Sequence, residues 1–103
     1  MIHPDAPDPS LTLEELKQVL NSALHRNSFI FSRKHAKSRS LERHITFEDV
    51  VHICFVGKFK CNPWYENQNW KYKAVGKDLN GEQTTVLLAV DNEKYLVTVI
   101  TIY

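Results

Sequence analysis

The stretch Thr84-Thr-Val-Leu-Leu-Ala-Val90 is apolar almost throughout, which is the pattern expected of a central strand in a β-sheet. A turn at residues 91–93 separates it from Tyr95–Tyr103, a long strand whose side chains alternate between two faces. The more apolar face is predicted to consist of Leu96, Thr98, Ile100 and Ile102, and the other face of Val97, Val99, Thr101 and Tyr103. The C-terminal part of the chain is therefore predicted to form a sheet.

Two more strands are predicted on the N-terminal side of this stretch. Lys58–Tyr65 is interrupted by Pro63, which cannot donate a ladder hydrogen bond, so this strand is predicted to lie at an edge. Trp70–Val75 follows it, and the Asn-Gly pair within Asp78–Gly81 indicates a tight turn. Together these segments predict an antiparallel meander of about four strands.

The first predicted helix begins at Thr12, which forms a capping box with Glu15, and ends near residues 26–27. A second helix is predicted from Ser32 to about His44, and its apolar side is thin. Brief extended structure is predicted between these two helices, at residues 29–31.

A third helix is predicted to begin at Thr46, with Asp49 as its capping-box partner, and to stop at Gly57. Its buried face is predicted to be Phe47, Val50, Val51, Cys54 and Phe55. The predicted fold class is thus α+β, with three N-terminal helices followed by an antiparallel sheet of about four strands. The helices are expected to pack on one face of that sheet.

The length of 103 residues predicts one domain, with residues 1–9 as a flexible lead-in and residues 10–103 as a single α+β domain. No stretch approaches the ~20 apolar residues of a membrane span, and the N-terminus lacks the features of a signal peptide. These absences predict a cytoplasmic protein without membrane contact. In that compartment Cys54 and Cys61 are expected to be free, buried thiols.

Charge is distributed unevenly along the chain, although the formal net charge is only +1. Residues 26–77 carry eleven bases and four acids, a net charge of +7, whereas residues 1–25 and 78–103 each carry four acids and one base. A basic middle segment favours a partner that bears phosphate. The alternative is that the acidic ends fold back and neutralise the middle.

The most basic segment contains His35, Arg39 and Arg43, whose spacing of four residues places them on one face of a helix. One interpretation is phosphodiester chemistry, because histidine moves a proton near neutral pH and arginine donates to phosphate oxygens. The 2′-hydroxyl of RNA would supply the nucleophile. The other interpretation is a solvated face whose arginines pair with Glu42, Glu48 or Asp49.

Interleaved aromatic and basic residues occur further along, where Trp64, Tyr65, Trp70 and Tyr72 lie beside Lys58, Lys60, Lys71 and Lys73. Such residues can stack on single-stranded nucleic acid and cradle it, or the aromatic rings can simply pack in the core. Histidines and cysteines show no zinc-site spacing, and the three glycines form no phosphate-binding loop. No metal and no cofactor is therefore predicted.

Two motifs carry a resemblance to a known family. The first is Phe31-Ser32-x-x-His35-Ala36-x-x-Arg39-x-x-x-Arg43-x-Ile45-Thr46-x-Glu48-Asp49-Val50. The second is Tyr72-Lys73-x-x-Gly76-Lys77, followed at the end of the sequence by Val99–Tyr103. The chain resembles the uncharacterised domain-of-unknown-function family number 4258 over residues 29–103, with residues 10–28 as an added N-terminal helix. That family is similar to bacterial toxins of the RelE and BrnT type and to other small metal-independent ribonucleases. The resemblance implies a RelE-like and BrnT-like fold, helices followed by an antiparallel sheet.

The leading hypothesis is a small, metal-independent endoribonuclease of the bacterial toxin–antitoxin type. The resemblance implies catalytic roles for His35 as general acid or base and for Arg39, Arg43, Lys73 and Thr101 around the scissile phosphate. The residues expected to contact RNA are Lys34, Lys58, Trp70, Lys71 and Tyr72. One alternative is a non-catalytic protein-interaction module, such as a degenerate toxin homologue or a partner of the antitoxin or immunity type. Another is a nucleic-acid binder without catalysis.

Overall fold

The computed structural model describes residues 11–32, 40, 42, 44–66, 69–91 and 95–103, with only the backbone described at residues 61 and 62. The helices and strands of this described part are α1 (Leu13–His25), β1 (Phe29–Phe31), α2 (Phe47–Val56), β2 (Lys58–Glu66), β3 (Asn69–Lys77), β4 (Gln83–Asp91) and β5 (Leu96–Ile102).

The five strands form one mixed sheet in the order β1-β5-β4-β3-β2. Strand β1 runs parallel to β5, and the other neighbours are antiparallel. Ser28 and Ser32 hold β1 against β5, because the Ser28 carbonyl accepts from Val97 N at 2.9 Å and Ser32 N donates to the Val99 carbonyl at 2.8 Å.

The predicted architecture of three helices followed by a four-strand antiparallel sheet is therefore wrong. The residues that the structure describes contain two helices, and Phe29–Phe31 adds a parallel strand to the sheet. This strand is too short to show a period of its own, and it is ordered by a partner about 70 residues away in sequence. The predicted middle helix, from Ser32 to about His44, falls mostly on residues outside the description.

Both described helices begin as their capping residues predict. Thr12 N donates to Glu15 Oε1 at 3.0 Å, and Glu15 N donates to Thr12 Oγ1 at 3.2 Å, which is a complete capping box. Thr46 and Asp49 form the second box at the start of α2. Helix α1 ends at His25, and Asn27 follows with a φ of 58°, a conformation that asparagine tolerates better than most residues.

Gly57 ends α2 as predicted, and a close approach of two backbones explains the residue type. A Cβ at Gly57 would lie 2.5 Å from the Ile53 carbonyl oxygen and 2.6 Å from that of Val75. Gly76 lies opposite, since a Cβ there would be 3.0 Å from the Cα of Gly57. The end of α2 therefore packs directly on the backbone of β3.

The core lies between the two helices and one face of the sheet. Helix α1 packs over β1 and β5, and α2 packs over β3 and β4. The core residues are Leu16, Val19, Leu20, Ala23, Phe29, Ile45, Val50, Ile53, Cys54, Tyr72, Ala74, Val86, Leu88, Val90, Val97, Val99 and Ile102. Of the predicted α2 face, Val50 and Cys54 are buried, whereas Phe47 is exposed and packs against the rings of Phe29 and Phe31.

Cys54 is a free and fully buried thiol, as predicted, and burial raises its pKa to about 12. The side chain of Cys61 lies outside the described residues.

The face of β5 that was predicted to be the more apolar one does not face the core, apart from Ile102. Val97 and Val99 are fully buried, whereas Leu96, Thr98 and Ile100 are half-buried. The reason is a β-bulge: Leu88 pairs with Val99 but the adjacent Leu87 pairs with Thr101, so Ile100 is an extra residue. The bulge shifts the alternation by one residue, which returns Ile102 to the core face.

The predictions for the remaining strands are confirmed. Strand β2 is an edge strand of the described sheet, and its pairing with β3 is irregular between Lys60 and Trp64, where Pro63 lies. Strand β4 is internal, with β3 and β5 on either side. The turn at residues 78–81 forms with Gly81 at a φ of 85°. No helix among the described residues is long and apolar enough to cross a membrane.

Candidate functional site

In the described part of the chain, the face of the sheet opposite α1 and α2, called the open face below, carries most of the lysines. Side chains alternate along a strand, so residues that pair in register share a face. The core residues of β3 are Tyr72 and Ala74, which assigns Lys71, Lys73, Val75 and Lys77 to the open face. In the described part of the chain no helix packs on this face.

Five lysines lie on the open face, on the neighbouring strands β2 and β3. They are Lys58, Lys60, Lys71, Lys73 and Lys77. Of the lysines that the structure describes, only Lys17 lies elsewhere, and its Nζ donates to the carbonyl of Phe55 at 3.1 Å. Alternation along the strands thus gathers onto one surface lysines that are spread over 20 residues of sequence.

One cross-strand row joins two of the residues that the resemblance implies as catalytic. Lys60 pairs with Lys73, Lys73 pairs with Leu87, and Leu87 pairs with Thr101. Lys73 and Thr101 therefore flank Leu87 on the same face, two strands apart, which corresponds to about 10 Å between their backbones. An ammonium group and a hydroxyl group at the two ends of such a row can both contact one phosphodiester segment.

A second row on the open face contains Trp64, Lys71, Ala89, Thr98 and Ile30. Lys71 is only 6% exposed, and this burial lowers its pKa, although Glu66 acts in the opposite direction. The other four lysines of the open face are more exposed than Lys71 and are therefore better placed to contact a ligand.

Tyr103 completes the described part of the open face at the C-terminal end of β5. Its backbone pairs with Thr85, the N–H of Tyr103 donating to the Thr85 carbonyl at 2.8 Å. The ring is 47% exposed, and the ammonium of Lys73 lies 5.7 Å from the ring centroid. An aromatic surface and a cation thus lie side by side next to Thr101.

The two aromatic residues predicted to contact RNA, Trp70 and Tyr72, lie on the helix-covered face instead of the open face. Trp70 packs against the core with its ring 5.5 Å from that of Tyr65. Tyr72 is buried, and its hydroxyl accepts a hydrogen bond from Leu11 N at 3.0 Å. Burial raises the pKa of Tyr72. Among the predicted RNA contacts, the structure therefore brings Lys58 and Lys71 together with Lys73 and separates Trp70 and Tyr72 from them.

The remaining predicted site residues, Lys34, His35, Arg39 and Arg43, lie outside the described residues. The chain enters this segment at Ser32, whose hydroxyl donates to the Ile100 carbonyl at 3.0 Å. Ile100 is the bulge residue directly before Thr101. The basic segment therefore begins beside one end of the row that holds Lys73 and Thr101.

Asp49, suggested above as an ion-pair partner for the arginines, has another role in this fold. The residue is 3% exposed, and its carboxylate accepts hydrogen bonds from Thr46 N at 2.8 Å and Leu79 N at 2.9 Å. Both oxygens are thus committed to backbone groups. In the described part of the chain, no three histidine, cysteine, aspartate or glutamate side chains cluster in a way that could hold a metal ion.

A small, mostly apolar cavity of about 150 Å³ lies between the start of α1 and β2. Two lysines of the open face, Lys60 and Lys73, also border this cavity, and the rest of its lining consists of Leu11, Leu13, Leu16, Phe59, Pro63 and Tyr72. A cavity of this size fits a group no larger than a side chain.

Lys60 and Trp64 belong to the interleaved set noted in the sequence but were given no site role there. The other open-face residues without a predicted site role are Lys77 and Tyr103. The signal that could have found Lys60 and Lys77 is alternation, because both share the parity of the assigned lysines on their own strands. Trp64 follows an irregularity in the pairing of β2, which local patterns do not reveal, whereas simple alternation already puts Tyr103 on the face of Thr101.

No protein-family model, curated protein or solved structure matches this chain.

Proposed function

We propose that this protein is a small, metal-independent endoribonuclease of the bacterial toxin type that holds RNA on its open face. The observation that carries the proposal is the row of Lys60, Lys73, Leu87 and Thr101 on a surface with five lysines. Lysine neutralises phosphate, and removing counterions from RNA provides most of the affinity of such a surface.

Cleavage in this proposal uses groups that the chain itself provides. His35 acts as general acid or base on the 2′-hydroxyl or the leaving oxygen, since histidine titrates near neutral pH. Lys73, with Arg39 and Arg43, stabilises the charge that develops on the phosphate. Thr101 orients the same phosphate by a hydrogen bond from its hydroxyl.

The hydrogen bond between Ser32 and Ile100 supports a role for His35 in this site. His35 follows Ser32 by three positions in the sequence, and three residues of chain span at most about 11 Å. The anchor point of that segment lies beside Thr101.

The direct test is cleavage of labelled RNA in EDTA, with free total RNA in one arm and ribosome-bound RNA in the other. We expect wild-type protein to cleave in at least one arm, and His35→Ala and Lys73→Gln to reduce the rate by about 100-fold, the size typical of a lost acid–base or charge-stabilising group. Arg26→Gln is the charge-matched control, because Arg26 lies at the end of α1 against the ring of Tyr95. RNA that stays intact in both arms would refute the enzymatic proposal.

A second candidate, the non-catalytic interaction module, is favoured by the edge strand β1. It is the last strand in the described sheet, and its Ile30 side chain is 45% exposed on the open face. An edge strand can pair with an extended segment of another protein, such as an antitoxin-like or immunity-like partner. Co-purification of a stoichiometric partner that is lost in Ile30→Asp, together with absent cleavage, would establish this candidate.

A further inference from the structure

We infer that the open face takes single-stranded rather than duplex RNA, with Tyr103 and Trp64 stacking on unpaired bases between the lysines. The inference rests on the RNA contact of the proposed function and names the class of RNA that fits it. Its evidence is the shape of the face and the position of these two aromatic rings relative to the lysines.

The shape of the open face favours an unpaired strand. Its described part is a five-stranded sheet, about 20 Å wide at the usual spacing between strands, and in this part no helix projects from it. The major groove of an RNA duplex is deep and narrow, and duplexes are recognised mainly across the minor groove by contacts to phosphates and 2′-hydroxyls. A sheet surface instead suits splayed bases that lie against it.

The aromatic rings lie where bases between lysine-bound phosphates would reach them. Tyr103 is exposed and neighbours Lys73, whose ammonium lies 5.7 Å from the ring centroid. Trp64 is half-buried and lies directly across from Lys71 on the edge strand. Bases in a duplex are already stacked on one another, so only unpaired bases can use these rings.

The lysines define a short track beside these rings. Lys71, Lys73 and Lys77 lie along β3, and Lys77 is six positions after Lys71, which is about 20 Å along the strand. Lys58 and Lys60 lie beside them on β2. This track spans a few nucleotides, so a short oligonucleotide is a sufficient probe.

The test is fluorescence anisotropy of a labelled 12-nucleotide RNA carrying 2′-O-methyl groups throughout, which removes the nucleophile and prevents cleavage. The same oligonucleotide is measured alone and annealed to its complement, with wild type, Tyr103→Ala, Tyr103→Phe and Arg26→Gln. We expect the single strand to bind at least tenfold more tightly than the duplex, and Tyr103→Ala to weaken single-strand binding about tenfold. Tyr103→Phe keeps the ring and is expected to bind like wild type, as is Arg26→Gln.

Equal affinity for the single strand and the duplex would overturn the inference, and so would a Tyr103→Ala variant that binds the single strand like wild type. The two proposals fail separately. Tight binding of the 2′-O-methyl single strand, with natural RNA left intact, refutes the endoribonuclease and supports the inference. Cleavage of natural RNA by a protein that binds the single strand and the duplex equally supports the endoribonuclease and refutes the inference.

Discussion

At the scale of single residues, Asp49 joins two parts of the fold. Its carboxylate caps α2 through Thr46, with bonds of 2.8 Å to the backbone N–H and 2.9 Å to the hydroxyl. The same carboxylate accepts from Leu79 N in the turn between β3 and β4. We expect Asp49→Asn to lower the free energy of unfolding by about 2 kcal/mol, because a cap and a charged, buried hydrogen bond are both weakened. Urea denaturation of the two proteins measures this difference.

The contribution of Asp49 to the free energy of unfolding should also depend on pH. Burial by itself would raise the pKa of this carboxyl, but the hydrogen bonds from Thr46 and Leu79 outweigh it and hold the pKa below its ordinary value of 3.8. When the pKa of a carboxyl is lower in the folded state than in the unfolded state, its full contribution to stability is present at pH values above the unfolded pKa. This contribution is lost as the pH falls through the folded pKa. The stability difference between wild type and Asp49→Asn should therefore be constant near neutral pH and shrink below about pH 4. A difference that is the same at pH 3 and pH 7 would contradict this account.

At the scale of elements, the β-bulge in β5 determines which side chains reach the core. Val97 and Val99 face the helices before the bulge, and Ile102 faces them after it, because Ile100 is the extra residue. Removing Ile100 would leave all three on the core face in a regular strand and keep Thr101 on the open face.

We therefore expect deletion of Ile100 to cost about 1 kcal/mol, mainly through the lost hydrogen bond from the Ser32 hydroxyl. Deletion of Thr98 is the matched control, because it puts Val97 and Val99 on opposite faces and exposes a buried valine. That control should cost about 3 kcal/mol or more, since cavity formation adds to the lost burial. Thermal denaturation compares the two deletions, and equal losses of stability would show that Ile100 is not the inserted residue.

Local chemistry explains which elements could be predicted from the sequence. Thr12, Thr46 and Gly57 act within one helical turn of their own positions, so the beginning of both described helices and the end of α2 could be read from the sequence. Pro63 and the Asn-Gly turn act locally as well. The parallel pairing of Phe29–Phe31 and the bulge at Ile100 depend on partners far away in the chain, and no local pattern encodes them.

At the scale of the whole molecule, the fold puts the lysines of residues 58–77 and some of their aromatic neighbours on opposite faces of the sheet. The residues predicted from the sequence to contact RNA include Lys71 together with its neighbours Trp70 and Tyr72, and Lys58 further from them along the chain. Strand alternation sends the lysines to the open face and these two aromatic residues to the helix-covered face. Adjacency in sequence therefore groups lysines with Trp70 and Tyr72, whereas the sheet register puts Trp64 and Tyr103 on the face that holds the lysines.

The central claim, that the open face binds RNA phosphates, is tested most directly by the salt dependence of binding to the 2′-O-methyl single strand. If the four lysines that are exposed or half-buried, Lys58, Lys60, Lys73 and Lys77, contact phosphates, the slope of log K against log salt should be about −2.8 for the wild type, since each contact to a single strand contributes about −0.7. The double variant Lys60→Gln/Lys73→Gln should reduce the magnitude of the slope by about 1.4 and weaken binding, while Arg26→Gln leaves both unchanged. A double variant with the slope and affinity of the wild type would contradict the claim.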